Sequence, residues 1–174
     1  MQSVPHPPQR CVLVMGPSGV GKSTFAQQLA QRSEARFIEG DDYHPPENRA
    51  AMTAGIPLTD EMRRPWLIAL ASAVRTSCGN QHTVFACSAL KRSYRDLLRS
   101  NIGELQLVYL TAPRDLIQQR MTARQHFMPA ELLDSQIETL EVPADSEHPV
   151  TVDMSQSLEA AVGFTLAELT QRES

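Results

Sequence analysis

The run Gly16-Pro17-Ser18-Gly19-Val20-Gly21-Lys22-Ser23 matches G-x-x-x-x-G-K-[ST] in full, the spacing of a loop that wraps a polyphosphate. Its glycines let backbone N–H groups turn inward and approach phosphate oxygens without Cβ collisions. A helix predicted to start at Lys22 adds the partial positive charge of its N-terminus. In such loops the lysine, here Lys22, reaches the β- and γ-phosphates of a nucleoside triphosphate, and the hydroxyl, here Ser23, ligates Mg²⁺. With Thr24 in the first helical turn, the nucleotide-binding candidates are Gly16 to Thr24. Lys22 is also a catalytic candidate and Ser23 the metal-ligand candidate. No N-K-x-D guanine selector is present. The run TVFACSALK puts Cys87 and Ser88 where a motor-type ATPase has a metal-supporting Asp, so the metal's second support lies elsewhere.

A second chemical cluster follows in Phe37-Ile38-Glu39-Gly40-Asp41-Asp42-Tyr43-His44. Glu39 and Asp41 share a face if the chain stays extended. A carboxylate there can accept a hydrogen bond from an acceptor hydroxyl and hold it in line with the γ-phosphate, the role assigned to Asp41. A carboxylate there could also bind an Mg²⁺-coordinated water, and the sequence leaves open whether Glu39 supports the metal. Asp42 reads as a solvated turn residue.

The elements that must position these groups alternate along the chain. Short apolar runs predict strands at Cys11–Met15, Arg36–Glu39, Thr83–Cys87, Leu105–Thr111 and Val150–Asp153. Between them lie amphipathic stretches at Lys22–Arg32, Pro65–Thr76, around Tyr94–Leu98, after Pro113, at Ala130–Leu140 and at Leu158–Arg172. Pro65 is expected in a helix's first turn and Ser157 as a cap. This pattern predicts an α/β fold with a five-stranded parallel sheet and helices on both faces. Residues 40–64 and 122–148 are too long for ordinary connections and are read as substrate-handling insertions. Residues 1–10, with three prolines, read as a flexible tail, and residues 11–174 as one domain.

Composition narrows the function classes. The 174 residues are 41% hydrophobic and 21% charged, as in a packed globule. A net charge of −4 disfavours nucleic acid as a partner, and no apolar run is long enough to span a membrane. The three cysteines, Cys11, Cys78 and Cys87, are an odd count without paired spacing. Cys11 and Cys87 sit in apolar runs and read as buried thiols in a reducing compartment, so a cytoplasmic location is expected.

Beyond the loop, the sequence resembles the gluconokinases, small P-loop kinases. The resemblance is carried by Gly40-Asp41, His44-Pro45, Asn48, Met52, Pro57-Leu58, Asp60, Arg63 and Pro65-Trp66-Leu67. It continues through Cys87-Ser88-Ala89-Leu90-Lys91, Tyr94-Arg95-Asp96-Leu97-Leu98, His126-Phe127-Met128-Pro129, Ser135-Gln136 and Glu138-Thr139-Leu140-Glu141. It runs from about Cys11 to Pro143 and implies a three-layer fold like that of nucleoside monophosphate kinases, with a lid at about 122–141. It also implies ATP- and Mg²⁺-dependent phosphorylation of D-gluconate to 6-phospho-D-gluconate by a homodimer. Within that frame Arg63 is expected to clamp the substrate carboxylate with its planar fork. Ser88, Lys91 and Arg95 join Asp41 and Arg63 as substrate-binding candidates. Arg120 and Arg124, four residues apart on one helix face, are lid candidates that screen phosphate charge in the transition state. His44 and His126 stay outside the catalytic set. A kinase for another hydroxy acid such as shikimate, and a nucleotide-binding module that has lost catalysis, remain the alternative readings.

Overall fold

The computed structural model describes residues 10–124 and 131–172. The expected N-terminal tail up to residue 9, and residues 125–130 of the expected lid with His126, lie outside them. Strand β1 (Cys11–Met15) runs through the phosphate loop into helix α1 (Lys22–Arg32). Strand β2 (Arg36–Glu39) follows, then a 3-10 turn (Gly40–Tyr43), α2 (Pro46–Thr53) and α3 (Asp60–Cys78). Next come β3 (Thr83–Ala86), α4 (Arg92–Ile102), β4 (Gln106–Thr111), α5 (Arg114–Ala123) and α6 (Glu131–Thr139). A second 3-10 turn (Asp145–Glu147), β5 (Val150–Asp153) and α7 (Leu158–Gln171) complete the chain. The five strands are all parallel, in the order β2-β3-β1-β4-β5.

Every residue of β1 is buried, as a central parallel strand requires. Its side chains alternate between two cores. Val12 and Val14 pack with α1, α5 and α7 on one face, and Leu13 and Met15 with α3 and α4 on the other. Among the strand ends, Met15 lies beside Tyr109 of β4, and Val14 beside Ala86 of β3, so the loop leaves from the middle of the sheet.

Helix α3 starts earlier than its apolar stripe predicts. The Thr59 hydroxyl accepts the Met62 N–H at 3.2 Å, and Asp60 and Glu61 sit in the first turn beside the positive end of the dipole. Pro65 therefore lies inside the helix rather than opening it, at the cost of one backbone hydrogen bond. The early start matters for the site. It puts Arg63 on a helix, one turn before Trp66 and on the same face.

Two of the three cysteines are not free thiols. Cys11 at the start of β1 and Cys78 at the end of α3 are joined by a disulfide with Cα atoms 5.8 Å apart. They are 67 residues apart in sequence and meet only through the fold, so spacing carries no sign of the pair. Cys87 is free and buried, and burial pushes its thiol up to about 12, which makes it unreactive.

Arg95, expected at the substrate, is instead a structural residue. Its guanidinium is 1% exposed and forks onto Glu147, with Nε–Oε1 at 2.8 Å and Nη2–Oε2 at 2.9 Å. Its remaining N–H groups reach the carbonyls of Ala89 at 2.9 Å and Glu141 at 3.1 Å. Ala89 holds a left-handed φ of +43°, a conformation that costs an L-residue roughly 1–2 kcal/mol. Arg95 thus fixes the strained turn that follows β3, and through it Ser88. Arg99 and the Ala144 N–H complete the carboxylate's shell, at 3.0 and 3.1 Å.

Two outcomes follow. Burial alone would raise the Glu147 carboxyl, but hydrogen bonds from Arg95 and Arg99 outweigh it and hold it at about 2, against an ordinary 4.5. A depressed carboxyl contributes stability that is complete above its unfolded value and lost on acidification. The network should therefore stabilise the fold fully above about pH 4.5 and fail as pH falls towards 2. Arg95→Ala should cost about 3–5 kcal/mol in urea unfolding at pH 7, because it strands a buried carboxylate. That deficit should shrink on acidification over the same interval. A wild-type-like unfolding midpoint in Arg95→Ala would refute the structural assignment. For the disulfide, a non-reduced digest should contain the Cys11 and Cys78 peptides linked. Reduction should lower stability by up to about 4 kcal/mol, the loop-closure value for this span.

Candidate active site

At the carboxyl end of β1 the chain must reverse into α1 around an anion. Gly19 takes a φ of +80°, and a Cβ there would sit 2.4 Å from Met121 Cγ, so only glycine fits. Gly21, also at positive φ, precedes α1 without a side-chain cap, which leaves the first N–H groups of the helix to a ligand. Lys22 folds back over the loop, Nζ to Pro17 O at 2.9 Å. Desolvation lowers its ammonium pKa, against the pull of Asp41, Cys87 and Glu39. Val20 contributes only its backbone, its side chain being fully buried in the core. The loop from Ser18 to Thr24 forms one wall of a cleft, and Arg120 and Arg124 at the end of α5 form the other. Arg120 is fixed there by the Met154 carbonyl at 2.7 Å.

Glu39 and Asp41 do not share an extended face. The strand ends at Glu39 and the chain tightens into the 3-10 turn, because Gly40 passes so close to β3 that a Cβ would lie 2.2 Å from Ala86 O. The two carboxylates are thereby divided between tasks. Glu39 turns to the loop and accepts the Ser23 hydroxyl, while also accepting the Asp41 N–H at 3.4 Å. Burial raises the Glu39 carboxyl, and the Ser23 hydrogen bond opposes that rise. A serine hydroxyl beside a half-buried carboxylate is a hard-oxygen pair. It suits Mg²⁺, which is held by one or two protein oxygens while phosphates and water supply the rest. Among the described residues no group of three or more His, Cys, Asp or Glu forms an all-protein metal cage.

Asp41 is exposed and also lines a second cleft. Its polar wall carries Arg63, Ser88, Ser135 and Gln136, and its apolar wall Met52, Leu58, Trp66 and Leu132. Met52, Leu58 and Leu132 form a small core of their own, which ties α2 to α6. His44 stacks on Trp66 with ring centroids 3.9 Å apart, and the Trp66 indole N–H donates to Gly40 O at 2.8 Å. Burial lowers His44 to about 4, so it is neutral at pH 7, its ring held by Asn48 at 3.2 Å. Ser18, Lys22 and Asp41 line both clefts. They mark the junction between them.

Of the sequence-derived candidates, the structure brings the loop, Asp41, Arg120 and Arg124 around the first cleft, and Asp41, Arg63 and Ser88 around the second. Lys91 does not line either cleft. Its ammonium pairs with Asp60 at 3.0 Å. Arg95 is buried behind the site, as described above. Sequence reasoning passed over Gln136, whose side-chain oxygen accepts the Ser18 N–H at 2.7 Å while its amide donates to Ser18 Oγ at 3.1 Å. It also passed over Trp66 and Tyr94. The dense motif blocks around all three were the available signal.

Comparison with known proteins gives the chain its relatives. A family model described as an AAA domain matches residues 11–143. The thermoresistant gluconokinase of Escherichia coli (strain K12) is 42% identical over 160 residues, covering 88% of this chain and 90% of its own. The gluconokinase of Gluconobacter oxydans (strain 621H) is 45% identical over 145 residues, covering 82% of each chain. The crystal structure of a gluconokinase from Sinorhizobium meliloti 1021 superposes with a TM-score of 0.85 at 43% identity, over 95% of this chain and 94% of that one. Identity of this extent, over nearly the whole length of each relative, means that the chain belongs to the gluconokinase family of kinases.

Proposed function

We propose that this chain transfers the γ-phosphoryl group of ATP to the terminal hydroxyl of D-gluconate, giving ADP and 6-phospho-D-gluconate. The observation that carries the reading is the junction of two clefts at Ser18, Lys22 and Asp41, one cleft lined by the phosphate loop and the other by Arg63. In-line transfer needs a nucleotide and an acceptor meeting end to end, with the charge of the moving group balanced where they meet.

Each residue then has a physical task. Loop N–H groups and Lys22 hold the β- and γ-phosphates. Arg120 and Arg124 face the outer oxygens and offset the charge that spreads over them. Asp41 accepts the proton side of the acceptor hydroxyl and aims its oxygen at phosphorus. As the new O–P bond forms, the hydroxyl proton passes to Asp41, the bond from the γ-phosphorus to the β–γ bridging oxygen breaks, and that oxygen leaves on ADP. Arg63 pairs the carboxylate of the sugar acid at the far end, and Ser88 offers a hydroxyl to the polyol between. The wall of Met52, Leu58, Trp66 and Leu132 keeps water from the transferring group. Ser23 and Glu39 would hold Mg²⁺, which when bound neutralises phosphate charge. That ion and a homodimeric assembly belong to the same proposal and rest on the family resemblance. The cytoplasmic location expected from the cysteines loses its support from free thiols, because Cys11 and Cys78 form a disulfide.

The test is an ADP-release assay over a panel of D-gluconate, shikimate and nucleoside monophosphates, in which gluconate alone should support turnover. Release with shikimate instead would favour the other hydroxy-acid kinase, and release with none would leave only a nucleotide-binding module. Lys22→Ala should reduce turnover at least about a hundredfold at saturating MgATP. Arg63→Ala should raise the gluconate KM by roughly 10- to 150-fold, the loss of a charged hydrogen-bonding partner, with the ATP KM unmoved. Arg124→Ala should lower kcat while nucleotide still binds the loop. Near-normal kinetics in any one variant would remove that residue from the mechanism.

A further inference from the structure

Arg63 is a long side chain that has to present its fork at one place, and it is held from outside the cleft. Its Nη1 donates to the Tyr94 hydroxyl at 3.0 Å. That hydroxyl in turn donates to Asp60 Oδ1, and Asp60 is held by the Lys91 ammonium at 3.0 and 3.2 Å. The direction of each bond is forced. Guanidinium and ammonium groups only donate, a carboxylate only accepts, and a hydroxyl has a single proton. Because Asp60 takes that proton, the lone pairs of Tyr94 are turned to Arg63. The ring adds to the arrangement, with Arg63 Cζ 5.4 Å and Lys91 Nζ 5.7 Å from its centroid. Tyr94 itself is 6% exposed and packed in the α3–α4 core, so it is a rigid post.

The charges are as informative as the bonds. Two cations share one carboxylate, and Lys91 takes it in a direct ion pair. Among the described residues Arg63 makes no ion pair; a neutral hydroxyl stands between it and Asp60. The surplus positive charge therefore rests on Arg63, which is the one member of the four that lines the acceptor cleft. We propose that Tyr94 is a positioning residue for the acceptor's carboxylate: it orients Arg63 and keeps Asp60 from neutralising it. The inference rests on the reading of Arg63 given above and adds a residue that touches neither substrate.

The test is a double-mutant cycle on the gluconate KM with the full chain. Tyr94→Phe keeps the ring and removes only the hydroxyl. It should raise the gluconate KM about tenfold, the lower end for a hydrogen bond to a charged group, with the ATP KM and the melting temperature held. In an Arg63→Ala background the same change should move the gluconate KM less than twofold, which a general structural role would not produce. An unchanged KM in Tyr94→Phe, or an equal rise in both backgrounds, would overturn the proposal while leaving Arg63 in place. If Arg63→Ala itself leaves the KM unchanged, the reading of Arg63 falls first and this one with it. Asp60→Ala, at an exposed position, gives an independent sign. Removing a negative charge near the cleft would by itself tighten binding of an anion, whereas loss of the hydroxyl's acceptor loosens Arg63. A raised gluconate KM is expected, and a lowered one would refute the relay.

Discussion

The site depends on one constraint: β1 has β3 on one side and β4 on the other, and these neighbours continue into connections that diverge. In an open parallel sheet that divergence leaves a crevice beyond the carboxyl end of the central strand. The phosphate loop fills the crevice, because it is the continuation of β1. The other groups around the loop come from several elements. Glu39 and Asp41 come from the end of β2 and the turn after it, Ser88 from the end of β3, Arg63 from α3, and Arg120 and Arg124 from the far end of α5, while Lys22 belongs to the loop itself. Burial of β1 on both faces keeps the loop's anchor rigid. Both cores therefore bear on the geometry of the loop, which is itself anchored in one of them by Val20.

Around that crevice the irregular segments are held by buried polar groups more than by aromatic packing, in a chain with 5% aromatic residues. Arg95 and Glu147 gather the turn after β3, helix α4 and the segment beyond α6 into one charge-assisted frame. Gln136 ties α6 to the loop at Ser18. The Glu141 N–H, two residues past the end of that helix, bonds Leu90 O and fixes its C-terminal side to the same turn. Helix α6 is thus tethered to the phosphate loop through Gln136 and to the turn after β3 just beyond its C-terminus. Leu132 meanwhile contributes to the acceptor wall.

How much of this was legible follows from the range of the forces involved. The loop was, because its glycines and lysine answer local backbone and charge requirements at fixed spacing. The strands were, within a residue or so, since burial on two faces writes itself as apolar runs. The start of α3 was obscured by reading Pro65 as its opening, although Thr59-Asp60-Glu61 carries a cap and an acidic first turn. Arg95 and Lys91 were misplaced for a different reason. A basic residue after a strand end looks the same whether its partner is a ligand or a carboxylate 52 residues away, and only the fold brings Glu147 to Arg95. The Cys11–Cys78 bond is of the same kind. Strand order, too, is set by how connections cross, which leaves no periodic trace.

The distribution of charge gives the two clefts different tastes. In the nucleotide cleft Lys22, Arg120 and Arg124 gather around backbone N–H groups, a field suited to several negative charges close together. In the acceptor cleft His44 is neutral, Lys91 is paired, and Arg95 is sealed behind the wall, so among the described residues Arg63 is the cation of that cleft beyond the shared Lys22. A small acceptor there should carry one negative charge, placed away from the junction, and an uncharged end beside Asp41. A second anionic group at the Asp41 end would meet the carboxylate and be repelled. On the proposed function, the carboxylate would then lie towards Arg63 and the terminal hydroxyl towards the loop, so that charge alone would set the acceptor's direction before any hydroxyl is read.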